Sequence, residues 1–167
     1  MSMIYLAYGS NMLVPRLRDV RRVPSARCLR RTQLPGYVLR FHKSGADGSA
    51  KCDLVRSATP DATAYGVVFS MDDRDRASLD RVEGRGYHTK LMRVNIAARG
   101  RVEAFAYVAD RDAVDSSLLP FDWYVRLVVA GAREHDLPAG YIASIAATPS
   151  RPDPDPARAA ENRSIVD

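Results

Sequence analysis

The start of the chain contains the pattern that most constrains its fold, an apolar strand that runs directly into a turn. Residues 3–8 form an apolar and aromatic run of strand length with no polar face, which predicts a buried strand. Gly9 follows, and glycine permits backbone angles and close approaches that a Cβ would prevent. Ser10 and Asn11 favour helix N-cap positions, so the pattern predicts a strand, a tight turn and a helix from residue 12.

A junction of this kind directs several backbone N–H groups towards one point. That geometry suits an anion or a developing oxyanion. The same pattern also describes an ordinary structural junction, because turns of this composition are common. The junction therefore indicates a functional site only if a chemical partner for it occurs elsewhere in the chain.

Length and composition predict a single domain. The 167 residues are enough to bury one core, and 46% hydrophobic and 27% charged residues are usual for a globular protein. Residues 1–148 are expected to form this domain, whereas the Pro- and Asp-rich residues 149–167 predict a disordered tail. Two cysteines and three histidines are scattered, so no disulfide framework and no metal site is expected. Neither a signal peptide nor a membrane span is predicted, and the expected location is cytoplasmic.

Basic residues concentrate between residues 16 and 31, in a chain with a net charge of +5. Such a charge can indicate an acidic partner or nucleic acid. No aromatic residues are interleaved there to stack on bases, and no common nucleic-acid motif occurs. A solvated basic face is therefore the favoured interpretation, with no nucleic-acid or membrane partner expected, and a basic-surface interaction module is the alternative.

The hydrophobic pattern predicts strands and helices that do not alternate regularly. Strands are predicted for residues 3–8, 26–34, 37–42, 64–71, 87–97 and 101–109, the last two as a hairpin across Arg99-Gly100, with a short extended piece at 52–55 inside a loop over 43–60. Helices are predicted for residues 12–20, 73–82 (capped by Asp72), 121–135 and 139–147. The fold class is therefore α+β, with strands that can curl into a small barrel.

Glu83 is the best candidate for chemistry, because it breaks two local rules. It lies four residues after Leu79, which places it on the face that the helix uses for packing. It also lies in the last turn, where the helix dipole disfavours negative charge. Both effects would raise the pKa of its carboxyl towards the range of a general base. The alternative is an exposed ion pair with Arg81 or Arg85 at a frayed helix end.

Other candidate residues fit catalysis less well. Ser10 has no obvious histidine base, which disfavours a Ser–His nucleophile pair. Tyr124 lies on the apolar face of its predicted helix, where a core role is more common, although a buried hydroxyl needs a partner. The sequence contains no Gly-x-Ser-x-Gly elbow, phosphate loop or His-Glu-x-x-His motif.

Taken together, these features resemble the γ-glutamylcyclotransferase family over about residues 3–147. The matching residues are, in chain order, Tyr8-Gly9-Ser10-Asn11, Ala64 to Phe69, Leu79-Asp80, Glu83-Gly84, Tyr87, Pro120, Tyr124, Gly131-Ala132, Leu137-Pro138 and Tyr141. The last segment is similar to the subgroup that acts on free γ-glutamyl dipeptides and γ-glutamylated small molecules. The short turn at residues 84–86 and the loop over 43–60 depart from the family pattern, and they leave the departing amine or amino acid open.

The resemblance implies a small mixed β-barrel with flanking helices. It also implies an enzyme, an acyltransferase or lyase that releases 5-oxoproline when the α-amine of a γ-glutamyl substrate attacks its own γ-carbonyl. Glu83 would be the single acid/base and Tyr124 would close the pocket, and the substrate would be bound largely through backbone groups of Tyr5, Leu6, Ala7, Tyr8, Gly9, Ser10 and Asn11. No metal or cofactor is required, and a homodimer is compatible with the resemblance. A non-catalytic binder of γ-glutamyl or amino-acid ligands in the same pocket is the alternative.

Overall fold

The computed structural model describes residues 1–97 and 99–167, and most of its strands belong to one central sheet. The strands are β1 Ser2–Ala7, β2 Arg27–Pro35, β3 Tyr37–Ser44, β4 Ala50–Arg56, β5 Thr63–Asp72, β6 Tyr87–Ile96 and β7 Gly100–Ala109. Five of them form a sheet with the order β2-β5-β1-β7-β6, and β3 pairs with β4 in a separate hairpin.

Five α-helices lie around the sheet, within the described residues. They are α1 Val14–Leu17, α2 Arg76–Glu83, α3 Asp122–Glu134, α4 Ala139–Ala146 and α5 Pro156–Arg163. Short 3₁₀ turns precede α1 at Ser10–Met12 and α2 at Asp73–Asp75, and a third spans Arg111–Ala113. None of the described helices has the length and apolar character needed to cross a membrane.

The central sheet is mixed and curled. β1 runs antiparallel to β5, with Ser2 opposite Asp72, and parallel to β7 on its other side. β6 and β7 pair antiparallel in the predicted hairpin, whose residue 98 lies outside the described residues. Because the sheet curls, its edge strands β2 and β6 approach each other and form a half-barrel. The predicted α+β class with a small mixed barrel and flanking helices is confirmed.

The core lies between the curled sheet and α3. Leu127 and Val128 of α3 are completely buried, and burying a side chain of this size contributes about 1.5–3 kcal/mol. Gly131 lets α3 approach the 3₁₀ turn after β1, because a Cβ there would lie 2.7 Å from the backbone nitrogen of Leu13. Helix α3 therefore supports the turn that the sequence identified as important.

The segment after β1 differs from the predicted helix over residues 12–20. The structure has a 3₁₀ turn and then only four helical residues in α1, and neither Ser10 nor Asn11 forms a side-chain cap. The reason is that both side chains bond elsewhere: Ser10 accepts a hydrogen bond from Arg16, and Asn11 donates to Glu83. Asp72 likewise forms no cap, and α2 begins after a 3₁₀ turn.

The predicted loop over residues 43–60 contains a full strand, β4. Its pairing with β3 buries Asp53, whose Oδ2 lies 2.8 Å from His42 Nε2. The other oxygen of Asp53 accepts a hydrogen bond from the Ala109 N–H of β7 at 2.8 Å. This polar contact attaches the hairpin to the central sheet, and the local sequence pattern did not reveal it because it depends on a partner far along the chain.

The predicted disordered tail is instead an ordered segment with helix α5. Asp153 is buried and accepts hydrogen bonds from Trp123 Nε1 at 2.8 Å and from Arg158. Asp155 caps α5 by accepting from the Arg158 N–H at 3.0 Å. Composition predicted disorder because the segment is polar, but the tertiary hydrogen bond between Trp123 and Asp153 attaches it to α3.

Candidate active site

Two segments that are distant in sequence meet at the C-terminal end of β1. Asn11 Nδ2, in the turn, donates a hydrogen bond to Glu83 Oε1 at 2.7 Å. The same nitrogen lies 3.1 Å from the hydroxyl of Tyr5 in β1. Glu83 is the last residue of α2, and Gly84 follows it as the C-cap. The structure therefore brings the predicted junction and the predicted carboxylate into direct contact.

A narrow cavity of about 40 Å³ lies beside Glu83. The residues that line it are Tyr5, Tyr8, Gly9, Ser10, Asn11, Cys52, Glu83, Tyr87, Tyr107 and Tyr124. Leu6 and Ala7, which were also predicted to bind substrate through backbone groups, are not among these lining residues, and their side chains are packed in the core. The remaining predicted site residues all border this one space.

In one wall of the cavity, three lining residues contact Cys52 of β4. Gly9 packs directly against it, since a Cβ on Gly9 would lie 3.0 Å from the Cys52 Cβ. The hydroxyl of Tyr124 accepts a hydrogen bond from the Cys52 N–H at 3.1 Å, and Tyr87 donates to the Cys52 carbonyl at 2.6 Å. The wall therefore combines the turn, β4, β6 and α3.

The opposite wall is aromatic. The rings of Tyr5 and Tyr107 pack edge to face with centroids 6.1 Å apart, and Phe105 lies against both. Tyr8 donates its hydroxyl proton to the Tyr107 carbonyl, and the Tyr107 hydroxyl donates to Asp80. The hydroxyls of Tyr8 and Tyr107 are therefore hydrogen-bonded within the protein.

Burial raises the pKa of the Glu83 carboxyl above its usual value. The positive charges of Arg22 and Arg16, the hydrogen bond from Asn11 and the charge of Lys43 act in the opposite direction. Among the described residues, no basic nitrogen lies within 4.0 Å of the carboxyl, so the ion pair with Arg81 or Arg85 does not form. Within the described part of the chain, Glu83 thus has one hydrogen bond, and its carboxyl has no basic nitrogen within 4.0 Å.

A wider cleft of about 570 Å³ adjoins the narrow cavity. Ser10, Asn11, Glu83, Tyr87 and Tyr124 line both spaces. Several side chains line the cleft alone, and most of them are basic: Arg16, Arg22, Lys43, Lys51, Arg81 and Arg85. The cavity therefore opens towards a positively charged region of the protein.

Helix α5 helps to position Arg16, one of the basic side chains of the cleft. Arg16 donates to Ser10 Oγ at 3.1 Å through Nε and to Asn162 Oδ1 at 3.2 Å through a terminal nitrogen. The sequence pattern assigned Arg16 and Arg22 to a solvated basic face, but both are partly buried and face the cleft. Their position depends on the fold of the turn and of α5.

Sequence reasoning missed three cavity residues, Cys52, Tyr87 and Tyr107. Tyr87 belonged to a matching motif, but nothing local assigned it a role. A buried tyrosine hydroxyl needs a hydrogen-bond partner, and this was the only available signal for Tyr87 and Tyr107. Within residues 1–97 and 99–167, no group of three or more His, Cys, Asp and Glu side chains could hold a metal ion.

Comparisons with known proteins concern the family and the fold of the chain. The AIG2-like family matches residues 63–145, which include β5, α2 with Glu83, and α3 with Tyr124. Among curated proteins, no sequence matches the chain.

Solved structures extend the likeness to most of the chain. A structure named gamma-glutamyl cyclotransferase has a TM-score of 0.77 and 25% identity, covering 90% of both chains. An uncharacterized human protein has a TM-score of 0.77 and 26% identity, covering 90% of this chain and 89% of its own. A yeast gamma-glutamyl cyclotransferase specific to glutathione shares the fold at a TM-score of 0.61 and 13% identity, over 87% of this chain and 94% of its own.

The AIG2-like match and the structural likeness point in the same direction, and together they support a function of the γ-glutamylcyclotransferase type. The chain belongs to the AIG2-like, γ-glutamylcyclotransferase family of proteins.

Proposed function

We propose that this protein cyclises γ-glutamyl substrates to 5-oxoproline, with Glu83 as its acid/base. The observation that carries the proposal is the setting of Glu83, a partly buried carboxyl that, among the described residues, has one hydrogen bond from Asn11 and no basic nitrogen within 4.0 Å. A carboxyl with a raised pKa can accept a proton near neutral pH and return it within the same reaction. The cavity beside it is formed by the turn that the family resemblance assigns to substrate binding.

The reaction begins with proton transfer. The Glu83 carboxylate takes a proton from the α-ammonium group of the substrate, which frees the amine. The amine attacks the γ-carbonyl carbon of the same molecule, and a five-membered ring closes. The amide C–N bond then breaks, and protonated Glu83 gives its proton to the departing nitrogen. The ring nitrogen also loses its second proton, which the departing amine takes up, so the products are 5-oxoproline and an amine or amino acid in its ammonium form.

Orientation is the main contribution that the cavity would make. An intramolecular attack depends on holding the amine against the carbonyl, and orientation can lower the barrier by about 7–11 kcal/mol in favourable cases. Backbone N–H groups of Gly9 and Ser10 would hold the substrate carboxylate or the oxyanion. The Tyr124 hydroxyl, held by the Cys52 N–H, would close the cavity over the γ-glutamyl chain.

The test is release of 5-oxoproline, measured by mass spectrometry, from γ-Glu-Ala and from a panel of γ-glutamylamines. Wild type and Glu83→Gln are compared, with circular dichroism to verify folding. We expect product from the wild type only. Product at a normal rate from Glu83→Gln would remove Glu83 from the mechanism. Thermal stabilisation by these ligands without any product would instead indicate a non-catalytic binder.

A further inference from the structure

Arg16 is a partly buried cation that two neutral oxygens hold in the wall of the cleft. Its Nε donates to Ser10 Oγ at 3.1 Å, and a terminal nitrogen donates to Asn162 Oδ1 at 3.2 Å. Among the described residues, no carboxylate oxygen lies within 4.0 Å of its guanidinium. Burial lowers the pKa of Arg16, but an arginine stays protonated at neutral pH. Because burying a cation without a counter-ion is unfavourable, the two hydrogen bonds offset part of that cost and fix the place of the charge.

Asn162 reaches Arg16 from the opposite end of the chain. It lies in α5, beyond the end of the AIG2-like match. Its Nδ2 donates to the Arg158 carbonyl, one turn earlier in the helix, at 2.9 Å, which leaves Oδ1 directed towards Arg16. Helix α5 is itself attached to α3 through the hydrogen bond between Asp153 and Trp123. The acceptor for Arg16 therefore has a fixed place in the fold.

Arg16 acts on two groups that the proposed reaction uses. The first is Ser10, whose N–H would hold the substrate carboxylate or the oxyanion and whose hydroxyl accepts from Arg16. The second is Glu83, which lines the same cleft. Burial raises the pKa of Glu83, and the positive charges of Arg22 and then Arg16 act in the opposite direction. A displacement of Arg16 would therefore change both groups.

Other ionisable groups face Glu83 from several elements. Lys43 of β3 lowers the pKa of Glu83 together with Arg22 and Arg16. The remaining charged side chains of the cleft are Arg81, Arg85 and the paired Lys51 and Asp47. The tyrosines around Glu83 are neutral at neutral pH, because burial raises their pKa values: Tyr5, Tyr8, Tyr87, Tyr107 and Tyr124. Of the cations of the cleft, Asn162 forms its hydrogen bond with Arg16 within the described part of the chain.

We propose that Asn162 is a positioning residue of the active site, which holds the Arg16 guanidinium against Ser10 and keeps a positive charge in the cleft that Glu83 lines. The inference rests on the proposed cyclotransferase function, and it adds to that function a part of the chain, the C-terminal helix, that the reaction alone does not identify. Helix α5 then contributes to the reaction as well as to the stability of the fold.

Asn162→Ala tests this role, because it removes the acceptor for Arg16. Alanine favours a helix, so α5 should remain folded, which circular dichroism verifies. With Arg16 released, Glu83 loses part of a nearby positive charge, and its pKa should rise further. We expect the acidic limb of the kcat/KM profile for γ-Glu-Ala to move to higher pH. The rate at neutral pH should fall by about twofold to tenfold, as for the net loss of one hydrogen bond.

A carbon-13 NMR titration of the glutamate carboxyls measures the same effect without turnover. The other glutamates of the chain are Glu103, Glu134 and Glu161, so few signals overlap, and the spectrum of Glu83→Gln assigns that of Glu83. The Glu83 signal should titrate at higher pH in Asn162→Ala than in the wild type, and the other three should titrate as before.

Two further variants separate positioning from stability. Asp155→Ala removes the side-chain cap of the same helix and leaves the contact between Asn162 and Arg16 in place. It should lower the melting temperature and leave the acidic limb unchanged. Arg16→Met completes a double-mutant cycle, in which adding Asn162→Ala should not shift the Glu83 titration further, because Asn162 acts through Arg16.

The outcomes distinguish this inference from the proposed function. An unchanged Glu83 titration and acidic limb in Asn162→Ala would overturn the positioning role and leave the cyclotransferase function intact. An equal further shift in the Arg16→Met background would also overturn it, since Asn162 would then act by another route. No 5-oxoproline from the wild type would overturn the proposed function, whereas the NMR titration would still decide whether Asn162 acts on Glu83.

Discussion

Glu83 and Asp153 are two carboxylates that lie among aromatic side chains, in very different surroundings. Asp153 accepts hydrogen bonds from Trp123 Nε1, from the Asp155 N–H and from two nitrogens of Arg158. Its pKa is lowered, chiefly by the hydrogen bonds from Arg158. Among the described residues, Glu83 accepts one hydrogen bond, from Asn11, and burial raises its pKa.

The difference separates a structural carboxylate from one suited to chemistry. Asp153 is fixed in its charged form; the hydrogen bond from Trp123 attaches the C-terminal segment to α3, and the other three lie within that segment. Glu83 is held in place but keeps hydrogen-bonding capacity, and its charged and neutral forms are closer in free energy. A carboxyl that transfers a proton needs the second situation.

The largest expected effect is on turnover. Glu83→Gln keeps the size and the hydrogen-bonding capacity of the side chain but removes the titratable group, so kcat should fall by about 10²–10⁴-fold. The melting temperature should be retained or raised, because the variant no longer buries an ionisable group without a counter-ion. The measurements are 5-oxoproline release and calorimetry. Glu103→Gln, at an exposed position of β7, is the matched control and should retain activity.

A second effect on activity is expected at Asn11. Its hydrogen bond favours the charged form of Glu83, so Asn11→Ala should raise the pKa of Glu83 further and move the acidic limb of the kcat/KM profile to higher pH. The rate at neutral pH should fall by about tenfold to a hundredfold. Asn95→Ala on β6 serves as the control. A limb that moves to lower pH would contradict this account of Asn11.

Substitution of Asp153, the structural carboxylate, should lower the stability of the protein and not its turnover. Asp153→Ala leaves the buried Trp123 N–H without its acceptor, at a cost of about 1–3 kcal/mol. For a chain of this length, that corresponds to a decrease in melting temperature of about 3–10 °C. Turnover per folded molecule should be retained. Asp112→Ala, at an exposed position, should leave the melting temperature unchanged. A large loss of turnover in Asp153→Ala without a loss of stability would contradict the structural role of Asp153.

The smallest expected effects are on the pH dependence of stability, and they have opposite signs. The raised pKa of Glu83 stabilises the fold below its unfolded pKa, and this contribution is lost as the pH rises through the folded pKa. The lowered pKa of Asp153 stabilises the fold above its unfolded pKa, and this contribution is lost as the pH falls through the folded pKa.

Calorimetry over pH can separate these two contributions. The melting temperature of Glu83→Gln relative to wild type should rise as the pH increases above about pH 4, the usual pKa of a glutamate. The melting temperature of Asp153→Asn relative to wild type should fall as the pH increases towards and through about pH 4, the usual pKa of an aspartate. Differences with the same sign for both variants would show that the two carboxylates do not differ as described.

The sequence alone determined the features of this protein that depend on interactions between residues close together in the chain. Hydrophobic periodicity located β1, β5, the β6–β7 hairpin, α3 and α4, because each buries a face that repeats over a few residues. Glu83 was recognisable because it breaks local rules of helix chemistry, and the family resemblance then connected it with the turn at Gly9-Ser10-Asn11.

Tertiary structure decided the remainder, because the relevant partners are distant in sequence. β4 and α5 are ordered by contacts of Asp53 and Asp153 with β7 and α3, which no local pattern encodes. The backbone of Cys52 is held in position by hydrogen bonds with the hydroxyls of Tyr87 and Tyr124. Part of the basic segment lines the cleft because Arg16 donates hydrogen bonds both to Ser10 in the turn and to Asn162 in α5. Local propensity cannot specify such contacts, since their free energy arises only when the chain is folded.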